Sequence, residues 1–333
     1  MGGVPQVRRE PNVAVIEAYD EVTRSGRARC FAAGASCDGA WLKALVLAWL
    51  PMIPETFRSE GDGVQITGDR WASEGPGGVV VLLHGGGQTR HSWDRTAARL
   101  TAAGSTAVTL DARGHGESDW DPDRDYSIDG FVGDLLTFVA TLDRAPVLVG
   151  ASLGGITSLV AAGEHPGLAT GLVLVDVVVS VEPAGVDRIK SFLTAHHDGF
   201  ASLEDVASAI EAYNPVRRRS RNLDGLRKNV RQRDDGRWYW HWDPEFISND
   251  DEPQRRADRQ RLRRAASAIT IPTLIVRGLQ SDIVSDAGVA DMQRLIPEAR
   301  IVEVPQAGHM VAGDDNDVFA NRLVEFLSSL DPG

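Results

Sequence analysis

Val147-Leu148-Val149-Gly150-Ala151-Ser152-Leu153-Gly154-Gly155 is the most informative segment of the chain. The apolar run Pro146 to Val149 reads as a buried strand, and Ile156-Thr157-Ser158-Leu159-Val160-Ala161-Ala162 reads as a helix. Between them lies Gly-x-Ser-x-Gly, in the strand–turn–helix context that presents a serine nucleophile. The turn is so tight that its serine takes a strained backbone conformation and its neighbours tolerate almost no side chain. Gly150 and Gly154 supply that room. Ser152 Oγ then stands at the top of a sheet, and the first N–H groups of the helix point toward any oxyanion that forms. By itself the motif is weak, because a Gly-rich strand-to-helix turn occurs in ordinary doubly wound sheets; the context and the partners below make it specific.

Working outward, apolar strands alternate with helices. Thr56 to Ser59 and Gly63 to Ala72 read as a hairpin, Gly78 to Leu83 and Thr106 to Leu110 as strands, and Ser92 to Ala103 and Ile128 to Leu142 as helices. The serine is followed by a helix to about Gly163, then strands at Gly171–Val175, Pro272–Arg277 and Arg300–Val304, and a last helix from Val318 to Leu330. This pattern implies a mainly parallel sheet covered on both faces. Between Val179 and Ala268 the alternation stops. Ile189–Ala195, Leu203–Ala212, Leu223–Gln232 and Arg255–Ala268 read there as helices, a cap over the carboxyl ends of the strands, where ligands bind in such sheets. The resulting organisation is an N-terminal helical extension (1–54), a first core part (55–178), a helical cap (179–268) and a second core part (269–333).

In the extension, Asn12 to Thr23 and the apolar Gly39 to Leu50 read as helices. The second packs on its own chain by default, with a homo-oligomer contact as the next reading. Its single lysine, Lys43, gives little of the basic face of membrane-surface helices, and the run is too short to span a bilayer. The 333 residues carry a formal net charge of -12, which disfavours nucleic acid. Two cysteines, Cys30 and Cys37, indicate neither a disulfide framework nor a metal site and read as free thiols of a cytoplasmic protein.

Ser152 needs a base and an acid. His309, in Gln306-Ala307-Gly308-His309-Met310 after the last strand, sits in the right topological place for the base. For the acid, Asp282 lies just past the Pro272–Arg277 strand; Asp286 is close by, and Asp176 is a more distant alternative. Ser152, Asp282, His309 is the chain order expected for a serine on this turn. Leu153 N–H is one oxyanion donor. The other is expected from His84-Gly85-Gly86-Gly87-Gln88, with Gly86 first and Gly87 next. This loop lacks the phosphate-cradling patterns. His115, in Asp111-Ala112-Arg113-Gly114-His115-Gly116-Glu117-Ser118, is a rival base on chemistry alone, but it precedes the nucleophile in a Gly-flanked turn and is assigned a structural role. Trp238, Trp240 and Trp242 share one face of an extended segment. They either line an apolar substrate pocket or anchor the cap, with equal weight.

Together these residues resemble the α/β-hydrolase superfamily, in its esterase, lactonase and cofactor-free haloperoxidase-like branch. The resemblance rests on Gly150-x-Ser152-x-Gly154, His84-Gly85-Gly86-Gly87, Asp111-x-Arg113-Gly114-His115-Gly116-x-Ser118, Ser281-Asp282 and Gly308-His309, and runs from Glu55 to the C-terminus. It implies an eight-stranded mostly parallel sheet with a lid inserted after the sixth strand. It also implies hydrolysis of a small-molecule carboxylic ester or lactone through an acyl-serine, with no metal or organic cofactor; the Trp-rich cap suggests a bulky or aromatic apolar acyl or alcohol part. Carbon–carbon bond hydrolysis of a diketone-like substrate uses the same triad, and a slow-turnover ligand receptor is the alternative from another class. Epoxide hydrolases and haloalkane dehalogenases use aspartate where this chain has Ser152.

Overall fold

The apolar runs around the serine have side chains suited to burial on both faces, and they form the middle of one sheet. The computed structural model describes residues 53–213, 223–247, 252–305, 307–309 and 317–330. The chain divides into Met1–Ile53 and Pro54–Gly333. The expected N-terminal helices and both cysteines lie outside the described residues. The strands are β1 (Glu55–Glu60), β2 (Gln65–Trp71), β3 (Val79–Leu83), β4 (Thr106–Leu110), β5 (Val147–Ala151), β6 (Gly171–Val175), β7 (Val230–Gln232), β8 (Trp238–Trp240), β9 (Thr273–Gly278) and β10 (Arg300–Val304).

Eight of them form one sheet in the order β1-β2-β4-β3-β5-β6-β9-β10. β2 pairs antiparallel with β1 and β4, and every other neighbour pair is parallel. Every residue of β5, β6 and β9 is buried. Helices cover them, and each fully buried Leu or Val contributes roughly 1.5–3 kcal/mol over exposure. Leu148, Leu159, Leu172 and Leu174 are the centre of that core.

The register sets the site. Leu83 pairs with Gly150, Ala151 with Val175, Val175 with Val276, and Gly278 with Val304. The loops after β3, β5, β6, β9 and β10 therefore leave one edge of the sheet together. β4 and β5 flank β3 on opposite sides, so the chain reverses its direction of winding there, the place where such sheets bind ligands.

The insertion between β6 and β9 holds the helices Pro183–Leu193, Leu203–Tyr213 and Glu252–Ala268. The expected helix over Leu223–Gln232 is instead a 3-10 segment, Leu223–Asn229, running into β7, which pairs antiparallel with β8. Val230 and Trp240 pair across that ribbon, and both are buried. Tertiary burial of a β-branched and an aromatic residue outweighs helical propensity there. The helix Asp286–Leu295 was not foreseen; Ser285 caps it, accepting Gly288 N–H at 3.3 Å, and Val289 and Met292 supply its inward face. Among the described residues no helix is long and apolar enough to cross a membrane.

Candidate active site

Ser152 has φ 46° and ψ −114°, a conformation that L-residues rarely adopt. Both ends of the turn hold it there. Ser152 N–H donates to Val175 O at 3.3 Å, and Ile156 N–H to Ser152 O at 2.9 Å. A Cβ on Gly150 would fall on the Gly154 carbonyl, and one on Gly154 would fall on the Leu83 carbonyl, so neither position admits a side chain. Both obstacles are backbone and cannot yield cheaply. Gly150→Ala is therefore expected to destabilise by about 1–3 kcal/mol or more, read as a lowered chemical-denaturation midpoint; an unchanged midpoint would show that the turn has slack.

The loop after β3 lies directly against the serine: a Cβ on Gly85 would come 3.4 Å from Ser152 Cβ. Its N–H groups are largely committed. Gly85 N–H donates to Gln88 Oε1 at 3.1 Å, Gln88 N–H to Gly85 O at 3.0 Å, and Gly87 N–H to His115 Nε2 at 3.1 Å. Gly86 N–H has no partner among the described residues, and Leu153 N–H is the first of its helix and has none within it. Gly86 is thus the loop donor left for an oxyanion, whereas Gly87 N–H, the second expectation, is engaged elsewhere.

His309 is the histidine brought to this edge with a carboxylate, and its partner is Asp176. His309 Nδ1–H donates to Asp176 Oδ2 at 2.7 Å, and the Asp176 side chain is fully buried. Ser281 Oγ–H donates to the same oxygen at 2.5 Å, and Gly278 N–H to Oδ1 at 3.2 Å. Asp176 has φ 54°, and its N–H donates to Val276 O at 2.7 Å. This corrects the expectation for Asp282. Two residues of the loop after β9, Ser281 and Asp282, compete for the inward position. Ser281 Oγ accepts Ile283 N–H and Val284 N–H at 3.3 and 3.2 Å while reaching Asp176, so Asp282 is left facing outward. There its carboxylate pairs with Arg188 at 2.9 Å, about half exposed. Asp286 pairs with Arg277.

The three tryptophans belong to the insertion's own core, and Trp242 also reaches the loop after β3. Trp238, Trp240 and Trp242 are buried with Leu193, Phe200, Val206 and Val230, and Trp240 stacks on Trp242 at 4.8 Å. The side chains of the insertion that meet the loop after β3 are Phe246, against Gly86, and Leu193 and Trp242, against Gly87. Sequence reasoning missed Phe246 and Leu193. The Gly-rich loop predicts that something approaches closely, but periodicity does not say what.

The turn 111–118 is held through Asp111 and Arg113. Asp111 accepts Arg90 N–H at 2.7 Å and Glu117 N–H at 2.9 Å. Arg113 is bidentate to Asp134 at 2.7 and 2.8 Å. Among the described residues, Asp69, His91 and Asp94 have spacing for a metal ion. Those carboxylates already hold cations: Arg90 Nε is 3.0 Å from Asp69, and Lys228 Nζ 2.9 Å from Asp94.

His84, His115 and His241 are fully buried in contact, with ring centroids 5.2 and 5.9 Å apart. Each accepts a backbone N–H: Ala112 to His84 Nε2 at 3.0 Å, Gly87 to His115 Nε2, and Gly116 to His241 Nδ1 at 2.8 Å. Burial pushes His84 down to about 4, His115 to about 3 and His241 well below its ordinary value. As pH falls below about 6.5 the unfolded chain takes up these protons and the folded protein does not. The stability they contribute is complete above that pH and is lost as pH falls from there toward the lowered folded values. The denaturation midpoint is thus expected to drop steeply between pH 6.5 and 4; a flat midpoint over that range would contradict the neutral buried cluster.

A strained serine at a helix N-terminus with a glycine loop beside it stands at the sheet edge where the loops after β6 and β10 carry Asp176 and His309. The sequence profile of the alpha/beta hydrolase fold matches residues 78–315, and the chain belongs to the α/β-hydrolase family. It is similar to Esterase Rv0045c of Mycobacterium tuberculosis, 31% identical over 277 residues, covering 79% of this chain and 85% of that protein. It is 30% identical over 254 residues to a 3-hydroxybutyrate-oligomer hydrolase of Cupriavidus necator, covering 72% and 85%. The crystal structure of E-2-(acetamidomethylene)succinate hydrolase superposes with a TM-score of 0.72 at 25% identity, over 83% of this chain and 99% of that one. The chain is an enzyme of hydrolase type.

Proposed function

We propose that this enzyme cleaves a carboxylic ester or lactone by acyl transfer through Ser152. The observation that carries the reading is the buried Asp176–His309 hydrogen bond at the sheet edge where the strained Ser152 stands. Asp176 fixes the tautomer of His309 with the proton on Nδ1, which leaves Nε2 free to accept. His309 takes the Ser152 hydroxyl proton as Oγ attacks the carbonyl. Leu153 and Gly86 N–H groups stabilise the oxyanion, and losing one such donor costs on the order of 3 kcal/mol in the transition state. The tetrahedral adduct collapses to an acyl-serine as His309 Nε2–H protonates the leaving alkoxide. Water, deprotonated by His309, then releases the acid and restores Ser152. Asp176 stabilises the imidazolium in both halves and stays ionised.

The insertion acts as the cap over this edge, with Phe246 and Leu193 nearest the oxyanion loop. The similarity to an esterase and to a 3-hydroxybutyrate-oligomer hydrolase supports the ester reading. The test is time-resolved hydrolysis of p-nitrophenyl acetate, butyrate and octanoate and of a lactone series, before and after treatment with a fluorophosphonate. Turnover of at least one substrate that the fluorophosphonate abolishes is expected. No turnover across both series, or turnover indifferent to the reagent, would overturn the reading.

A further inference from the structure

The turn 111–118 has a use beyond holding itself together. His115 is fully buried, and its two ring nitrogens face two different loops. Nδ1–H donates to Arg113 O at 3.0 Å, within its own turn. Nε2 accepts Gly87 N–H at 3.1 Å, from the loop after β3. The turn itself is anchored to the protein body: Ser118 Oγ–H donates to Asp111 O at 2.7 Å, and Thr67 N–H donates to Ser118 Oγ at 2.9 Å. His115 is therefore a strut from a rigid base to the glycine loop. Gly87 has φ 74°, a left-handed conformation that a glycine adopts without penalty and that needs an external partner to select it.

The far side of the strut is closed by the insertion. The Phe246 ring lies edge-on to His115 at 4.6 Å, and a Cβ on Gly86 would come 2.8 Å from the same ring. His241 accepts Gly116 N–H, and Asp243 N–H donates to Gly114 O at 2.8 Å, so the insertion is latched to the turn on both sides of His115. Of the four N–H groups from Gly85 to Gln88, three are engaged within the loop or by His115, and the Gly86 N–H is left over.

We propose that His115 is a positioning residue for the oxyanion hole: by accepting the Gly87 N–H it fixes the 84–88 loop with Gly86 N–H as the donor. It takes no proton from substrate, since Nε2 is occupied and Nδ1 carries its proton to Arg113 O. The proposal rests on the serine-hydrolase reading. That reading fails if wild type shows no Ser152-dependent turnover; the present proposal fails if wild type turns over and loss of the His115 acceptor changes nothing.

The experiment compares wild type, His115→Leu and His115→Gln with p-nitrophenyl butyrate, and measures inhibition by a trifluoromethyl ketone, whose serine adduct carries an oxyanion. Gln places Oε1 near the position of Nε2 and restores an acceptor; Leu does not. In His115→Leu, kcat is expected to fall about 10²-fold with KM within about threefold. The ketone should weaken in parallel, and His115→Gln should recover most of both. A folded His115→Leu with unchanged kcat and ketone affinity would overturn the proposal, as would equal losses in kcat and in ground-state binding. Should His115→Leu not fold, nitrogen-15 NMR of wild type decides: an unprotonated His115 Nε2 coupled through the hydrogen bond to Gly87 N is expected. A protonated Nε2 would overturn the proposal without any variant.

Discussion

Ser152→Ala is expected to lower kcat for ester hydrolysis on the order of 10⁶-fold, to the residual level that an oxyanion hole and binding alone sustain. The size of the effect follows from the geometry. Oγ stands on the one residue of the turn with a strained backbone, beside the glycine loop and at the start of the helix Leu153–Glu164. No neighbouring hydroxyl shares that placement: Ser158 Oγ is committed to Gly154 O at 2.7 Å and is fully buried. Alanine keeps the Cβ, so the strain is unchanged and stability should move by no more than about 0.5 kcal/mol. Kinetics and chemical denaturation on the same preparation separate the two effects. A substantial residual rate in a fully folded Ser152→Ala would place the nucleophile elsewhere.

Asp176→Asn carries the second large effect, and Asp282→Asn is expected to be nearly silent. Asparagine at 176 keeps the size of the side chain but removes the charge that faces His309 Nδ1 and invites the wrong tautomer. A loss of about 10⁴-fold in kcat is expected. Asp282→Asn loses an exposed pair with Arg188, worth about 0–1 kcal/mol, and kcat should stay within about threefold. Steady-state kinetics of the two variants side by side decides the matter. Loss in Asp282→Asn with retention in Asp176→Asn would return the acid to the loop after β9.

The assignment of the acid shows what the sequence can and cannot carry. The sheet was legible because β3, β5, β6 and β9 are short apolar runs closed by turn residues. Ser152 was legible because two flanking glycines and a following helix constrain its backbone. His309 followed from its place after the last strand. The acid was expected at Asp282 instead, because Ser281 and Asp282 are adjacent and a loop can turn either inward. What turns Ser281 inward is its hydrogen bonds to Ile283 N–H and Val284 N–H, and these exist only once the loop is built. Asp176 was in view as the residue that ends the strand beside the serine, and chain order, which both aspartates satisfy, does not separate them. The tryptophans pose a different difficulty. Alternation placed Trp238, Trp240 and Trp242 on one face, which is how they sit in a common cluster, but a shared apolar face does not distinguish a ligand pocket from a small core. Phe246, which does approach the oxyanion loop, stands alone in sequence with no periodic signal.

The most direct test of the Ser152–His309–Asp176 account is rapid mixing with p-nitrophenyl butyrate, acid quench and mass mapping of the digested protein. A burst of p-nitrophenol with a butyryl group on the peptide that contains Ser152 is expected. The same adduct should form far more slowly in Asp176→Asn and at nearly the wild-type rate in Asp282→Asn. An acyl group on any other residue, or turnover that persists in Ser152→Ala without an adduct, would contradict the account.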